Sequence, residues 1–275
     1  MPNYIKNRIE ILGSEKQVNK VTARFSTHFE REPHKANDGR LIYESKDTFG
    51  WLDEATGEFE ERGKQKVKGI PDGFEQDFIE AWIRFPDFEK IISMPESLHV
   101  ISGSNGDMGY SIMSGKSENC FMDMTEFFRR FYRMPMAERI DVVETGIIYA
   151  KNVMNYGHKT WYEWSIENWG TKWNSSDCKK VNENTFEFDT AWSGVPKLIE
   201  LMSKEFPDIE INYEYSDEDT GNNCASYKFL NGKVIEKIEP EGGSKEAYEL
   251  AFKLRPERAG DYKLVGDTYK YVDEE

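Results

Sequence analysis

Apolar and polar residues alternate at the start of the chain. Over residues 4–12 apolar side chains such as Ile9 and Ile11 alternate with the charged Arg8 and Glu10, which predicts a strand with one buried face. Ser14 follows as a helix N-cap, with Gln17 three residues later. Apolar residues then recur at helical spacing, at Val18, Val21, Phe25 and Phe29. The chain therefore opens as a strand, a tight turn and an amphipathic helix.

The same two patterns return in the second half of the chain. Residues 184–192 predict a strand, and Ser193 is placed to cap a helix. That helix carries its apolar side chains on one face: Val195, Leu198, Ile199, Met202 and Phe206. Apolar and polar residues alternate strictly over residues 209–215, which predicts another strand. Asn231-Gly232 predicts a hairpin turn between residues 225–230 and 233–238, and a helix over 245–254 precedes a final hairpin-like segment.

The middle of the chain has weaker patterns. Residues 30–75 are rich in Glu, Lys and Gly and predict an irregular insertion with a short strand at 41–43. Residues 85–92 predict a second strand of the main sheet, and the glycine- and serine-rich residues 102–118 predict a loop. Helical spacing then predicts a helical hairpin. Its apolar residues are Phe127, Phe128, Phe131 and Tyr132 on the first helix, then Met136, Ile140, Val143, Ile147 and Met154 on the second.

Without the insertions, the predicted order is strand, helix, strand, strand, helix, strand. This order is typical of an α+β fold with a ferredoxin-like βαββαβ antiparallel sheet core, here with a helical insertion and an extra C-terminal hairpin and helix. We expect residues 1–243 to form this domain, with insertions at 28–80 and 103–158. Residues 244–275 would form a C-terminal appendage.

Composition and charge limit the partners and the compartment that fit this protein. The 275 residues carry a formal net charge of −15, which disfavours binding to nucleic-acid phosphates and to anionic membranes. The cysteines Cys120, Cys178 and Cys224 are odd in number and lack metal-ligand spacing, so a reducing compartment is favoured over a disulfide framework or an iron–sulfur cluster. With no signal core and no long apolar run, the expected location is the cytoplasm of a host cell.

Three sequence blocks resemble a known family. They are Met1-Pro2-Asn3 with Asn7, Asn168-Trp169-Gly170-Thr171-Lys172-Trp173, and Phe188-Asp189-Thr190-Ala191-Trp192-Ser193. Together they look like the YubB ferredoxin-like family, over residues 1–27 and 85–240. The resemblance implies a ferredoxin-like core and a phage, plasmid or prophage setting. It implies no catalytic residues.

A dense group of aromatic residues lies at 161–173. Trp161, Trp164, Trp169 and Trp173 either pack a helix and a turn onto the sheet, which we favour, or form a surface that stacks on a ligand. In the packing interpretation Trp192 lies opposite these rings, Gly170 supplies the turn, and Asn168 and Thr171 hydrogen-bond to backbone there.

Acidic residues cluster at two further places. Asp53 and Glu54 lie in the first insertion, and Asp217, Glu218 and Asp219 lie in a predicted turn. Both clusters are candidates for contact with a basic partner, although acidic clusters are more often solvated surface. No phosphate-loop, HExxH or GxSxG motif is present, so the sequence predicts no catalytic, metal or cofactor site.

The sequence therefore favours a binding protein over an enzyme. Our hypothesis is a non-enzymatic protein of a phage or mobile element that binds and inhibits a host anti-phage defence protein, such as a basic nucleic-acid-binding protein. We expect no cofactor, no membrane contact and no direct nucleic-acid contact, and homo-oligomerisation stays open. The alternatives are a hydrolase using carboxylates such as Asp107, Asp123 or Glu167, and a nucleotide-binding or sequestering protein, each with its site near Trp161–Trp173.

Overall fold

The computed structural model describes residues 3–29, 32–35, 41–44, 49–52, 59–61, 82–115 and 124–272. In chain order, its first elements are β1 (Tyr4–Leu12), α1 (Glu15–Phe25), β2 (Thr27–Phe29), β3 (Glu32–Lys35), β4 (Leu41–Glu44), β5 (Phe49–Leu52), β6 (Phe59–Glu61), β7 (Trp82–Arg84), α2 (Ser104–Ser114), α3 (Met124–Arg133) and α4 (Met136–Tyr156). Then follow α5 (Trp161–Trp169), β8 (Ser176–Lys180), β9 (Thr185–Ala191), α6 (Pro196–Glu205), β10 (Glu210–Asp217), β11 (Cys224–Leu230), β12 (Lys233–Ile238), α7 (Lys245–Leu254), β13 (Tyr262–Val265) and β14 (Thr268–Tyr271).

The chain forms two compact units. The first combines Met1–Ile91 with Trp173–Glu275, and the second is Ile92–Lys172. The first unit contains the main sheet, and the second contains α2 to α5. In the described ranges, no helix is both long enough and apolar enough to span a bilayer.

The main sheet has six strands in the order β12-β11-β10-β1-β9-β8, and all neighbouring strands are antiparallel. The elements β1, α1, β8, β9, α6 and β10 follow one another as βαββαβ, and their strands lie in the order β10-β1-β9-β8. This is the ferredoxin-like arrangement, so the predicted fold class is confirmed. The β11–β12 hairpin extends the sheet beyond β10, and its turn places Asn231 and Gly232 at φ angles of 52° and 65°, as predicted.

The second strand of the core differs from the prediction. Residues 85–92 do not join the main sheet: β7 ends at Arg84 and pairs with β2 in a separate two-stranded sheet, and Phe88–Lys90 form a 3-10 helix. The second core strand is β8, whose sequence SDCKK lies at the sheet edge, mostly exposed or half-buried. An edge strand with little buried surface needs no alternating apolar residues, which is why the pattern missed it.

Two other local predictions are corrected. The α6 helix begins at Pro196 with Val195 as its N-cap, so Ser193 is not the cap. In the first insertion, β3 to β6 form a four-stranded antiparallel sheet, where we expected irregular structure around one short strand.

Helices cover both faces of the main sheet. On one face, β1 buries Ile5, Asn7, Ile9 and Ile11. The α6 helix lies on this face, because the backbone N–H of Val195 donates to the hydroxyl of Tyr213, the cross-strand neighbour of Ile9. The α7 helix lies on the opposite face, where the Arg8 guanidinium donates to the carbonyl of Lys253 at 3.2 Å.

The second unit is built around a close contact between α2 and α4. A Cβ added at Gly109 would lie 2.0 Å from the carbonyl oxygen of Val142, and one added at Gly146 would lie 2.3 Å from the Gly109 backbone. The glycines therefore let the two helix backbones meet. The prediction of a loop over 102–118 was wrong for residues 104–114, because there the glycines serve helix packing rather than flexibility.

Candidate functional site

A buried polar network joins the first strand to the turn between β9 and α6. Asn7 is fully buried, and its amide donates to Thr190 Oγ1 at 2.9 Å and to the Ile5 carbonyl at 2.9 Å. Its carbonyl oxygen accepts from the Tyr213 hydroxyl at 2.6 Å. Thr190 Oγ1 in turn donates to the Ser193 carbonyl at 2.7 Å. Each polar side chain in this network has a hydrogen-bond partner, as a buried position requires.

The network fixes the path of the chain from β9 to α6. The Val195 N–H at the start of α6 donates to the Tyr213 hydroxyl at 2.6 Å. Gly194 packs so tightly that an added Cβ would lie 2.4 Å from the ring of Tyr215. Burial raises the pKa of Tyr213 well above its usual value, so this hydroxyl stays neutral and can donate to Asn7.

Trp192 lies in this turn in an unusual conformation. Its φ angle is 69°, in the left-handed region that bulky residues seldom adopt, and its side chain is 42% exposed. Its N–H donates to the Asn3 carbonyl at 2.9 Å, and its carbonyl accepts from the Asn223 amide at 3.1 Å. A strained backbone held by its surroundings is a feature that clusters at functional sites.

Asp217 connects Trp192 to an acidic turn. One carboxylate oxygen of Asp217 accepts from the Asn3 amide at 3.2 Å and from the Asp219 N–H at 3.0 Å, and the other accepts from the Asn223 amide at 2.8 Å. Asp217 is therefore buried and structural, whereas Glu218 and Asp219 are exposed.

These contacts define a surface at one end of the main sheet. The Glu218 N–H donates to the Tyr4 carbonyl at 3.2 Å, and Tyr4 is 37% exposed. We refer to Tyr4, Trp192, Glu218 and Asp219 as the Trp192 surface. It combines exposed aromatic rings with exposed carboxylates on a scaffold held by hydrogen bonds.

The four tryptophans of the 161–173 block have different environments. Trp164 and Trp169 are buried and lie edge to face with ring centroids 5.5 Å apart, and the Trp169 indole donates to the Ile92 carbonyl at 2.9 Å. Trp161 is half-buried, and Trp173 is 39% exposed and belongs to the other unit. Two of these rings thus pack against each other within the helical unit.

The end of α5 has the local structure that the sequence predicts. Gly170 ends the helix with φ of 79°, and the Asn168 amide donates to the Trp164 carbonyl at 3.0 Å. At the other end Thr160 and Glu163 form a capping box.

Asp107 and Glu167, the other predicted carboxylates that the structure describes, belong to the second unit. Asp53, Glu54 and Asp123 lie outside the described residues. Asp107 forms an ion pair with Lys159 at 2.8 Å, and Glu167 lies 3.2 Å from His158. Within the described part of the chain, no group of three or more His, Cys, Asp or Glu side chains could hold a metal ion. The hydrolase and nucleotide-binding alternatives stay predictions.

One family model agrees with the fold. Residues 168–255 match the family model described as "Ferredoxin-like domain in Api92-like protein". This match covers β8 to α7 and therefore includes the Trp192 surface apart from Tyr4. A crystal structure of the protein api92 from Yersinia pseudotuberculosis is similar over 88% of this chain and 99% of that chain, with 11% identity and a TM-score of 0.35. No curated protein matches this sequence.

The sequence did not single out Trp192 as a site residue. It identified Asp217, Glu218 and Asp219, and it placed Trp192 at the end of a strand. The available signal was the Trp-Ser-Gly sequence between a predicted strand and a predicted helix, since functional residues are often found in such connections.

Proposed function

We propose that this protein is a non-enzymatic binding protein of a phage or mobile element, which inhibits a host defence protein by binding its basic surface. The observation that carries the proposal is Trp192, an exposed aromatic side chain held in a left-handed backbone conformation beside exposed carboxylates. The resemblance of its sequence motifs to the YubB family supports the mobile-element setting.

The Trp192 surface has the composition of a binding hot spot. Tryptophan and tyrosine contribute most to protein–protein affinity because each buries a large rigid area at a small entropic cost. A surface that is already held in place loses little further freedom on binding. Here Asn3, Asn223 and Asp217 hold the backbone of Trp192 and of the acidic turn.

The distribution of charge favours a basic partner. Residues 92–172 contain ten acidic and eight basic side chains, whereas the rest of the chain contains 41 acidic and 28 basic ones. The acidic excess therefore lies almost entirely in the unit that carries the Trp192 surface. Such a field accelerates association with a positively charged protein, and this effect weakens as the salt concentration rises.

The first experiment is a pulldown with the tagged protein from lysate of the host cell, followed by mass spectrometry. A stoichiometric host defence protein is expected. The affinity of the purified pair, and inhibition of the partner's activity, are then measured at two salt concentrations. If no stoichiometric host protein is captured, the proposed inhibition is contradicted in that host.

Matched variants test the surface. Trp192→Ala should weaken binding by about thirtyfold or more, as truncation of a hot-spot residue does. Trp173→Ala is the control, because it removes a ring of similar exposure elsewhere in the same unit. The Glu218→Lys/Asp219→Lys double variant should lower the association rate and its salt dependence. Equal affinities of the Trp192 and Trp173 variants would contradict the assigned surface.

A further inference from the structure

The α4 helix carries an apolar stripe whose side chains are mostly exposed. Met136, Ile140, Val143, Ile147 and Met154 follow one another at alternating spacings of four and three residues, if Ala150 is included. We call these five residues the α4 stripe. Met136 is 63% exposed, Ile140 50%, Val143 37% and Met154 85%.

The packing of the helical unit uses a different face of α4. Its buried residues are Val142, Gly146, Tyr149 and Asn152, and this face packs against α2. Helical spacing in the sequence therefore identified a real stripe, but the stripe borders the buried face instead of forming it. Ile147 is half-buried, and the other four side chains are exposed. A row of exposed apolar side chains of this length marks an interaction surface.

The spacing of the stripe specifies the geometry of its partner. Alternating steps of three and four residues form the a and d positions of a heptad, which is the seam of a helix that pairs with another helix. In this heptad, Ile140 and Ile147 occupy a positions, and Met136, Val143 and Ala150 occupy d positions. The α4 helix is 21 residues long, which is the length of three heptads.

We propose that the occupant of the α4 stripe is the α4 helix of a second copy of this chain, in parallel orientation. The charges that flank the seam carry this choice. Arg139 occupies a g position and Glu144 the following e position, which are the positions that form ion pairs between parallel helices. The ion pair between Arg139 and Glu144 would form twice in the dimer, because the interface has twofold symmetry. Antiparallel pairing along the whole stripe would instead place Glu144 beside Glu144 of the second copy.

Arg139 is half-buried, so part of its side chain stays accessible to a second helix. A carboxylate of that helix would form a charge-assisted hydrogen bond with the guanidinium. The stripe and its flanking charges on one copy are thus complementary to the same residues on a second copy.

Sedimentation equilibrium of the full chain over about 5–200 μM tests the dimer, since a short helical seam is expected to associate in the micromolar range. Ile140→Asp should weaken dimerisation by about tenfold or more. Ile148→Asp is the matched control, because Ile148 is 40% exposed on the same helix but lies outside the stripe. Far-UV circular dichroism checks that both variants are folded. A wild-type chain that stays monomeric throughout, or equal effects of the two variants, would overturn the proposal.

Two further results test the orientation. Arg139→Glu alone should weaken the dimer by roughly three- to tenfold, and adding Glu144→Arg should restore it, because the double variant exchanges the charges of the same pair. Val143→Cys, in a Cys120→Ser background, should form a disulfide between two copies under mild oxidation. Dimers that show neither restoration nor the disulfide would exclude parallel pairing.

Discussion

The substitution Asn7→Asp tests the buried network with almost no change of shape. The amide of Asn7 donates to Thr190 Oγ1, the Ile5 carbonyl and, at 3.3 Å, the Phe188 carbonyl. Aspartate replaces that donor with an oxygen atom, so an ionised carboxylate would face three acceptors. The contact with the Tyr213 hydroxyl is retained. The variant should therefore destabilise the fold mainly through its ionised form.

The size of the effect follows from the pKa of the new carboxyl group. Burial without a cation raises a carboxyl pKa by about 3 units or more, from about 3.9 in the unfolded chain to about 7 in the folded one. Because the folded-state pKa is the higher one, the protonated variant folds best, and its stability falls as the pH rises from about 4 to about 7. Between pH 5.5 and 8.0 the loss relative to wild type should grow by about 2 kcal/mol.

Urea unfolding of wild type and variant at pH 5.5 and 8.0 measures this difference. Both values lie above the sequence pI of about 4.9, so the protein keeps a negative charge. Asn19→Asp is the control, because Asn19 is exposed on α1 and the same charge is added there without burial. The control should change stability by less than about 0.5 kcal/mol at both pH values. A pH-independent loss in Asn7→Asp, or a loss no larger than that of the control, would refute the buried network.

Two other substitutions probe local packing and titration. Tyr213→Phe should cost about 1–3 kcal/mol near neutral pH, because Val195 N–H and the Asn7 carbonyl lose their partner. Burial raises the pKa of Tyr213, so the stability that its hydroxyl contributes is fully present below about pH 10 and is lost above it. The free energy of unfolding, measured in urea, should therefore decline less steeply at alkaline pH in the variant than in wild type. Gly109→Ala should destabilise the contact between α2 and α4 by about 3 kcal/mol, whereas Gly103→Ala, with nothing closer than 4.0 Å, should stay within about 0.5 kcal/mol. Hydrogen exchange in the two helices measures both glycine variants, and equal protection in the two would contradict the close contact.

The sequence predicted those parts of the fold whose pattern is fixed by one buried face. Strands β1, β9 and β10 alternate along a sheet with one apolar face, and the Asn231-Gly232 turn requires residues that tolerate positive φ. Each of these predictions depends only on the residues of the segment itself. These segments were enough to predict the fold class.

Predictions failed where a residue's role depends on a distant partner. Judged from its own residues alone, the glycine-rich α2 segment predicts a flexible loop. Only the facing backbone of α4 shows that Gly109 serves helix packing. The polar β8 strand is defined by its pairing with β9 at the sheet edge. The α4 stripe is a further example. Helical spacing indicates an apolar face, but it does not show whether this chain or another one covers that face.

Several residues of the three motif blocks have a structural task. Asn3, Asn7 and Thr190 belong to these blocks, and in the structure their side chains and backbone groups hold β1, the β9–α6 turn and the acidic turn together. These residues therefore indicate a fold and say nothing of chemistry. Glycine would adopt the φ of 69° at Trp192 without strain, whereas tryptophan adopts it at a cost. The binding function proposed above assigns the exposed part of the Trp192 ring to a partner, and the Trp192→Ala variant tests that assignment.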